Sequence, residues 1–95
     1  MRIVIMKVFL RANWVHSLKE KRMVVKSINA KLKNKFNVSV SEIDNQDIHQ
    51  SIVIGICAIA LDSKIADSIS ENIIDFIEDN CEAEIIDIEK QVEIY

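Results

Sequence analysis

Asp44, Gln46, Asp47, His49 and Gln50 place two carboxylates, an imidazole and two carboxamides within seven residues. Carboxylates and imidazole are the groups that hold divalent metals and move protons. The same residue types also close turns, because Asx side chains satisfy backbone donors. The turn reading is favoured, since the rest of the chain offers nothing to complete a reactive centre. His16 is remote from His49 in sequence, and no nucleophile is paired with it. There is no phosphate-cradling glycine loop, no nucleophile elbow and no zinc-ligand spacing. The expectation is therefore a polar turn at Asp44, Gln46, Asp47, His49 and Gln50, no catalytic residues, no metal and no cofactor.

The second constellation is electrostatic. Residues 1–44 hold ten Lys or Arg against three acids, net +7, while residues 45–95 hold two lysines against twelve acids, net −10. The whole chain carries only −3. Such halves suit either an anionic partner for the first or complementary self-association. Within the basic half, Lys19, Arg22, Lys26 and Lys33 recur at steps of three, four and seven residues. That spacing returns to nearly the same side of an α-helix. No acid stands at i+4 to offset them, so the arc is a candidate phosphate-binding surface; a merely solvated face is the alternative. Arg11, Lys19, Arg22, Lys26 and Lys33 are the candidate nucleic-acid-binding residues, with an anionic partner expected.

These groups need a scaffold. Ninety-five residues make a single domain, 1–95, with a modest core. Proline is absent, glycine occurs once, at Gly55, and aromatic residues make up 5%. That composition predicts long regular elements, short turns and a core of Ile and Val. Arg2 to Ala12 alternates, with Val4, Met6, Val8 and Leu10 on one face, and predicts a strand. Ser17 followed by Glu20 is a capping box that opens a helix. Leu18, Val24, Val25, Ile28, Leu32 and Phe36 form its apolar arc. Lys21, Lys31 and Lys35 fall on the flank opposite the basic arc, and Asn34 and Asn37 are expected helix-end residues.

A second strand is expected over Asn37–Ile43. Ser51–Leu61, apolar on both faces, reads as a central strand in which Gly55 marks a bulge or a close approach. Asp62 or Ser63 caps a second helix running to about Asn80. Its apolar side carries Ile65, Ile69, Ile73, Phe76 and Ile77, and its outer side Asp67, Glu71, Asp75, Glu78 and Asp79. Glu84–Ile94 is the last strand, with Ile86, Ile88, Val92 and Ile94 on one face. The order β-α-β-β-α-β predicts an α+β ferredoxin-like sandwich, a four-stranded antiparallel sheet with two helices on one face.

In that fold one sheet face stays open. Ile5 and Phe9 should lie on it beside Lys7, Arg11, Asp87 and Glu89, making a candidate homodimer or partner interface. Cross-strand pairing of Lys7 and Arg11 with Glu89 and Asp87 is the alternative use of those charges. Base stacking in the manner of RRM domains is disfavoured, because the aromatic glycine-containing run those sheets use is missing. Cys57 and Cys81 form no C-x-x-C pair and are expected to be reduced in a cytoplasmic protein. Lys7 and Arg11 interrupt the N-terminal apolar run, which excludes a signal-peptide core, and no segment approaches membrane-spanning length.

Ser17-Leu-Lys-Glu-Lys-Arg22, the strand Asn37-Val-Ser-Val-Ser-Glu-Ile43 and Gln46-Asp47 with Gln50 together resemble the signature segments of the YlxP-like family, a bacterial domain of unknown function. The resemblance covers essentially the whole chain. It implies a ferredoxin-like fold and, through genes for translation initiation and ribosome maturation that often neighbour family members, an RNA- or ribosome-linked role. Arg11, Ser17, Leu18, Lys19, Glu20, Lys21, Arg22, Gln46, Asp47 and Gln50 match the family's motifs. His49 stands where the family commonly has tryptophan, which weakens any stacking role at that turn.

Overall fold

Hydrophobic alternation and helix caps act locally, and both produce the elements they encode. The computed structural model describes residues 1–95 as β1 (Arg2–Arg11), α1 (Leu18–Lys35), β2 (Val38–Asp44), β3 (Ser51–Ala60), α2 (Ser63–Asn80) and β4 (Glu84–Ile94). The strands form one antiparallel sheet in the order β2-β3-β1-β4, so the first and last strands are neighbours. This is the ferredoxin-like α+β arrangement expected from the element order. No helix is long and apolar enough to cross a membrane.

Both helices start where a side chain can satisfy a free backbone N–H. Ser17 Oγ accepts from the Glu20 N–H at 3.1 Å, and Asp62 Oδ1 accepts from Ile65 N–H at 2.9 Å. At the other end, α1 closes on Phe36, whose N–H donates to the Leu32 carbonyl. Neither Asn34 nor Asn37 serves as the cap. An extended Phe36 lets its ring meet Phe76 of α2 edge-on, centroids 5.5 Å apart and planes at 88°. An edge-to-face pair adds about 0.5–1.5 kcal/mol beyond area burial and ties the ends of the two helices together.

The core lies between the helices and one sheet face. Val4, Met6, Val8 and Leu10 of β1 meet Ile52, Ile54, Ile56 and Ala58 of β3 in register, and Val25, Ile28, Leu32, Ile73 and Ile77 cover them. All are buried. Ile65, expected on the apolar side of α2, is instead exposed in its first turn.

Two strands carry an extra residue. In β4 the register shifts between Phe9 and Leu10, so that Phe9 faces Asp87 and Leu10 faces Ile85. Ile86 is the unpaired residue and is exposed, while Ile85 takes the core-side place. The expected face of Ile86, Ile88, Val92 and Ile94 is thus corrected: a one-residue bulge flips every side chain beyond it. In β2 the shift falls between Glu42 and Asp44. The freed Ile43 lies over Gly55, where a Cβ would sit 2.8 Å from Ile43 Cγ2. Gly55 therefore marks a close approach, and the bulge is on its neighbour.

Candidate functional site

α1 presents its charges in two very different settings. Lys19, Arg22, Lys26 and Lys33 are all exposed, and none forms an ion pair; the chain's two ion pairs are Lys21–Glu42 and Lys90–Asp67. At 100° per residue these four span an arc of about 60° on the outer flank of the helix. Glu20 is engaged at the N-terminus, where its backbone N–H bonds Ser17 Oγ and its carboxylate accepts from the same hydroxyl at 3.4 Å. The four cations therefore stay uncompensated.

Lys21 is the opposite case. The sequence placed it on a flank; the structure leaves it only 1% exposed. Its ammonium lies 2.9 Å from Glu42 Oε2 on β2 and donates to the Asn45 carbonyl. The angular signal was present, because Lys21 falls inside the arc of Val25, Ile28 and Leu32. A lysine there calls for a buried acceptor, and Glu42 supplies it from the core-facing side of β2.

That pair also anchors the polar turn. Asn45 adopts φ 54°, a left-handed conformation that asparagine tolerates. Its N–H donates to Asp44 Oδ1 at 2.8 Å, its Nδ2 to Ser51 Oγ at 2.9 Å, and its carbonyl accepts from Lys21. Gln50 Nε2 donates to the backbone carbonyls of Asn13 and Val15 at 3.0 and 3.2 Å, and the Gln50 backbone carbonyl accepts from Ala12 N–H. Asp44 and Gln50 are thus engaged in shaping the turn and fastening it to the β1–α1 loop. Gln46, Asp47 and His49 remain exposed. The fold brings His16 beside them: Val15, His16, Asp47, Ile48, His49 and Gln50 line one shallow depression of about 460 Å³. No group of three or more His, Cys, Asp or Glu side chains is arranged to hold a metal ion.

Arg11 is exposed at the end of β1, away from α1 in the chain, and lines a separate small depression with Asn13, Ile48, Gln50 and Ile86. The expected pairing with Asp87 does not form: Asp87 stands opposite Phe9, and the β4 bulge then brings Glu84 rather than Ile85 opposite Arg11. Lys7 stands opposite Glu89 as expected, yet neither lysine nor arginine forms an ion pair there. The Asp87 carboxylate instead accepts from the Ile88 N–H at 2.8 Å. On this open face Ile5, Ile43 and Ile59 are exposed, whereas Phe9 is half-buried. A groove of about 370 Å³ crosses the face at Gly55, lined by Ile5, Ser39, Ser41, Ile43 and Cys57.

Both cysteines are free, and Cys57 is exposed. Cys81, half-buried after α2, has its thiol pushed above the ordinary range by burial, which disfavours the thiolate; its hydrogen bond with the Ala83 backbone and the Lys31 charge pull the other way. Sequence reasoning passed over the groove that Cys81 helps to line. Between α1 and the end of α2, Trp14, Met23, Val24, Lys31, Cys81 and Glu82 border a hollow of about 310 Å³. Its available signal was a lone tryptophan in a polar loop and a methionine outside the apolar arc of α1.

The sequence profile described as "Protein of unknown function (DUF503)" matches residues 3–90. A segment of 44 residues is 54% identical to "Uncharacterized protein YlxP" of Bacillus subtilis (strain 168). That segment is 46% of this chain and 48% of the relative, so the match spans about half of each protein.

Proposed function

The chain belongs to the family described as protein of unknown function (DUF503), and we propose that it is a binding module that contacts RNA phosphates, free or ribosomal, through the outer flank of α1. The observation that carries this reading is the exposed, unpaired set Lys19, Arg22, Lys26 and Lys33 in a chain of net negative charge. Isolated surface lysines are ordinarily solvated. Four aligned on one rigid helix, which Lys21 and the apolar arc hold against the sheet, present a fixed row of positive charge. Titration of a single-stranded RNA at several salt concentrations tests it. Each phosphate contacted contributes about −0.7 to the slope of log affinity on log salt, so three to four contacts give about −2 to −3. A slope near zero, or no binding at low salt, overturns the reading.

A second reading is favoured by the exposed Ile5, Ile43 and Ile59 on the open sheet face. Monomers seldom leave a large apolar patch uncovered. On this reading a second copy covers it, and Ile5→Lys with Ile59→Lys lowers the mass measured by light scattering at high protein concentration while circular dichroism is unchanged. A wild-type chain that stays monomeric at those concentrations removes the self-association.

A further inference from the structure

We infer that the groove beside Trp14 receives an unpaired nucleobase of the same RNA strand whose phosphates lie on the basic arc of α1. The inference rests on the phosphate-binding reading of α1 and adds to it where the bases go.

Trp14 and Met23 are placed for such contact. Trp14 is the chain's single tryptophan and is 41% exposed, and Met23 is 65% exposed on α1. Neither belongs to the buried core. A flat indole face and a polarisable thioether make a stacking surface that accepts any base, because every base has a π-face. The hollow of about 310 Å³ lies at the small end of the range for ligand clefts.

The charges on its rim select a base over a phosphate. Lys31 is the one cation on the wall, and its ammonium already donates to the Asn80 carbonyl at 3.1 Å. Glu82 is the acid that shares the rim. A second phosphate would meet that carboxylate. A neutral base would find instead an acceptor in Glu82 for an exocyclic amine and a donor in Lys31 for a ring carbonyl.

Of the groove's α1 residues, Met23 lies nearest the basic arc, while Lys31 stands on the opposite flank of the helix. Arg22, Lys33, Lys26 and Lys19 occupy about 40° to 100° around α1, counted from Leu18; Ala30, Met23 and Ser27 follow at about 120° to 180°, and Lys31 and Val24 reach the groove at about 220° to 240°. Ala30 and Ser27 are exposed and small, and the exposed Met23 stands between them, so a strand that continues past the arc meets the thioether at the groove's edge. A duplex keeps its bases paired and offers none to the groove.

The test uses the fluorescence of Trp14, which no other tryptophan obscures. A short single-stranded RNA should quench it at low salt, and a duplex of equal length should not. Trp14→Ala should weaken single-strand binding roughly tenfold to a hundredfold, the usual worth of one stacked base. Trp14→Phe should restore most of that, and the salt slope should stay as in wild type, since no phosphate contact is removed. Circular dichroism of Trp14→Ala checks that the loop substitution leaves the fold intact. If RNA binds with the steep salt slope while Trp14 fluorescence and the Trp14→Ala affinity are unchanged, the groove assignment fails and the basic helix stands. If a hydrophobic peptide quenches Trp14 and the RNA does not, the groove takes a protein side chain and the inference fails as well. If no RNA binds at any salt, the reading of α1 falls and takes this inference with it.

Discussion

Glu42→Leu is expected to destabilise the fold by about 3 kcal/mol, the lower end of the 3–5 kcal/mol seen when one partner of a buried ion pair is removed. Lys21 is 1% exposed, and Glu42 Oε2 at 2.9 Å is its charged partner. Without that carboxylate, an ammonium would remain inside the helix–sheet layer with the Asn45 carbonyl as its remaining acceptor. The lower end applies because the Glu42 side chain is 18% exposed, so water can partly reach the pair from the edge strand β2. Typical domains have about 5–15 kcal/mol in all, so the loss is a large share. Chemical denaturation measures it. The double variant Lys21→Met with Glu42→Leu should recover most of the stability, since apolar replacements of similar volume commonly equal a buried pair. It should still fall short by about 1 kcal/mol, because the Asn45 carbonyl loses its donor. A Glu42→Leu protein as stable as wild type would show that Lys21 escapes to solvent, and the anchoring of the polar turn would be wrong.

Reversing Arg22 and Lys26 to glutamate is expected to weaken RNA binding at least 25-fold at 0.1 M salt. Two lost phosphate contacts account for about 1.4 units in the slope of log affinity on log salt. Over the decade between 1 M and 0.1 M salt, that is roughly a 25-fold loss from counterion release alone. Repulsion of the new carboxylates adds to it. The slope itself should flatten from about −2 to −3 toward about −1. The loss should be alike for different RNA sequences, since phosphate contacts position a strand without reading it. Stability should change by about 0.5 kcal/mol or less, because both side chains are exposed and unpaired. Unchanged affinity and slope after this double reversal would detach the basic arc from RNA binding altogether.

What the amino-acid order determines by itself is local. Alternation in β1 is read by a period of two, and it correctly assigns Val4, Met6, Val8 and Leu10 to the core. Ser17 with Glu20 opens the first helix, and the second cap is narrowed to Asp62 or Ser63, of which the structure uses Asp62, because a cap needs only residues within one turn. The absence of proline and the single glycine leave long elements, and their order narrows the topology to the sheet observed. The basic arc, too, is a property of one helix, and all four of its members are exposed.

Only the tertiary structure decides what depends on partners distant in sequence. Ile86 has the hydrophobicity of a core residue, yet a bulge against Phe9 and Leu10 turns it outward, and strand register is set between chains of residues rather than within one. Lys21 lies in an apolar arc, but its burial requires Glu42 from β2 and the carbonyl of Asn45, brought together by packing. His16 and His49 border one depression because Gln50 fastens the β2–β3 turn to the β1–α1 loop. The hollow at Trp14 exists because α1, the end of α2 and that same loop converge. Periodicity reports which face of an element is apolar; it carries no information about which polar groups the fold will set beside one another, because that is settled by close packing across the whole domain.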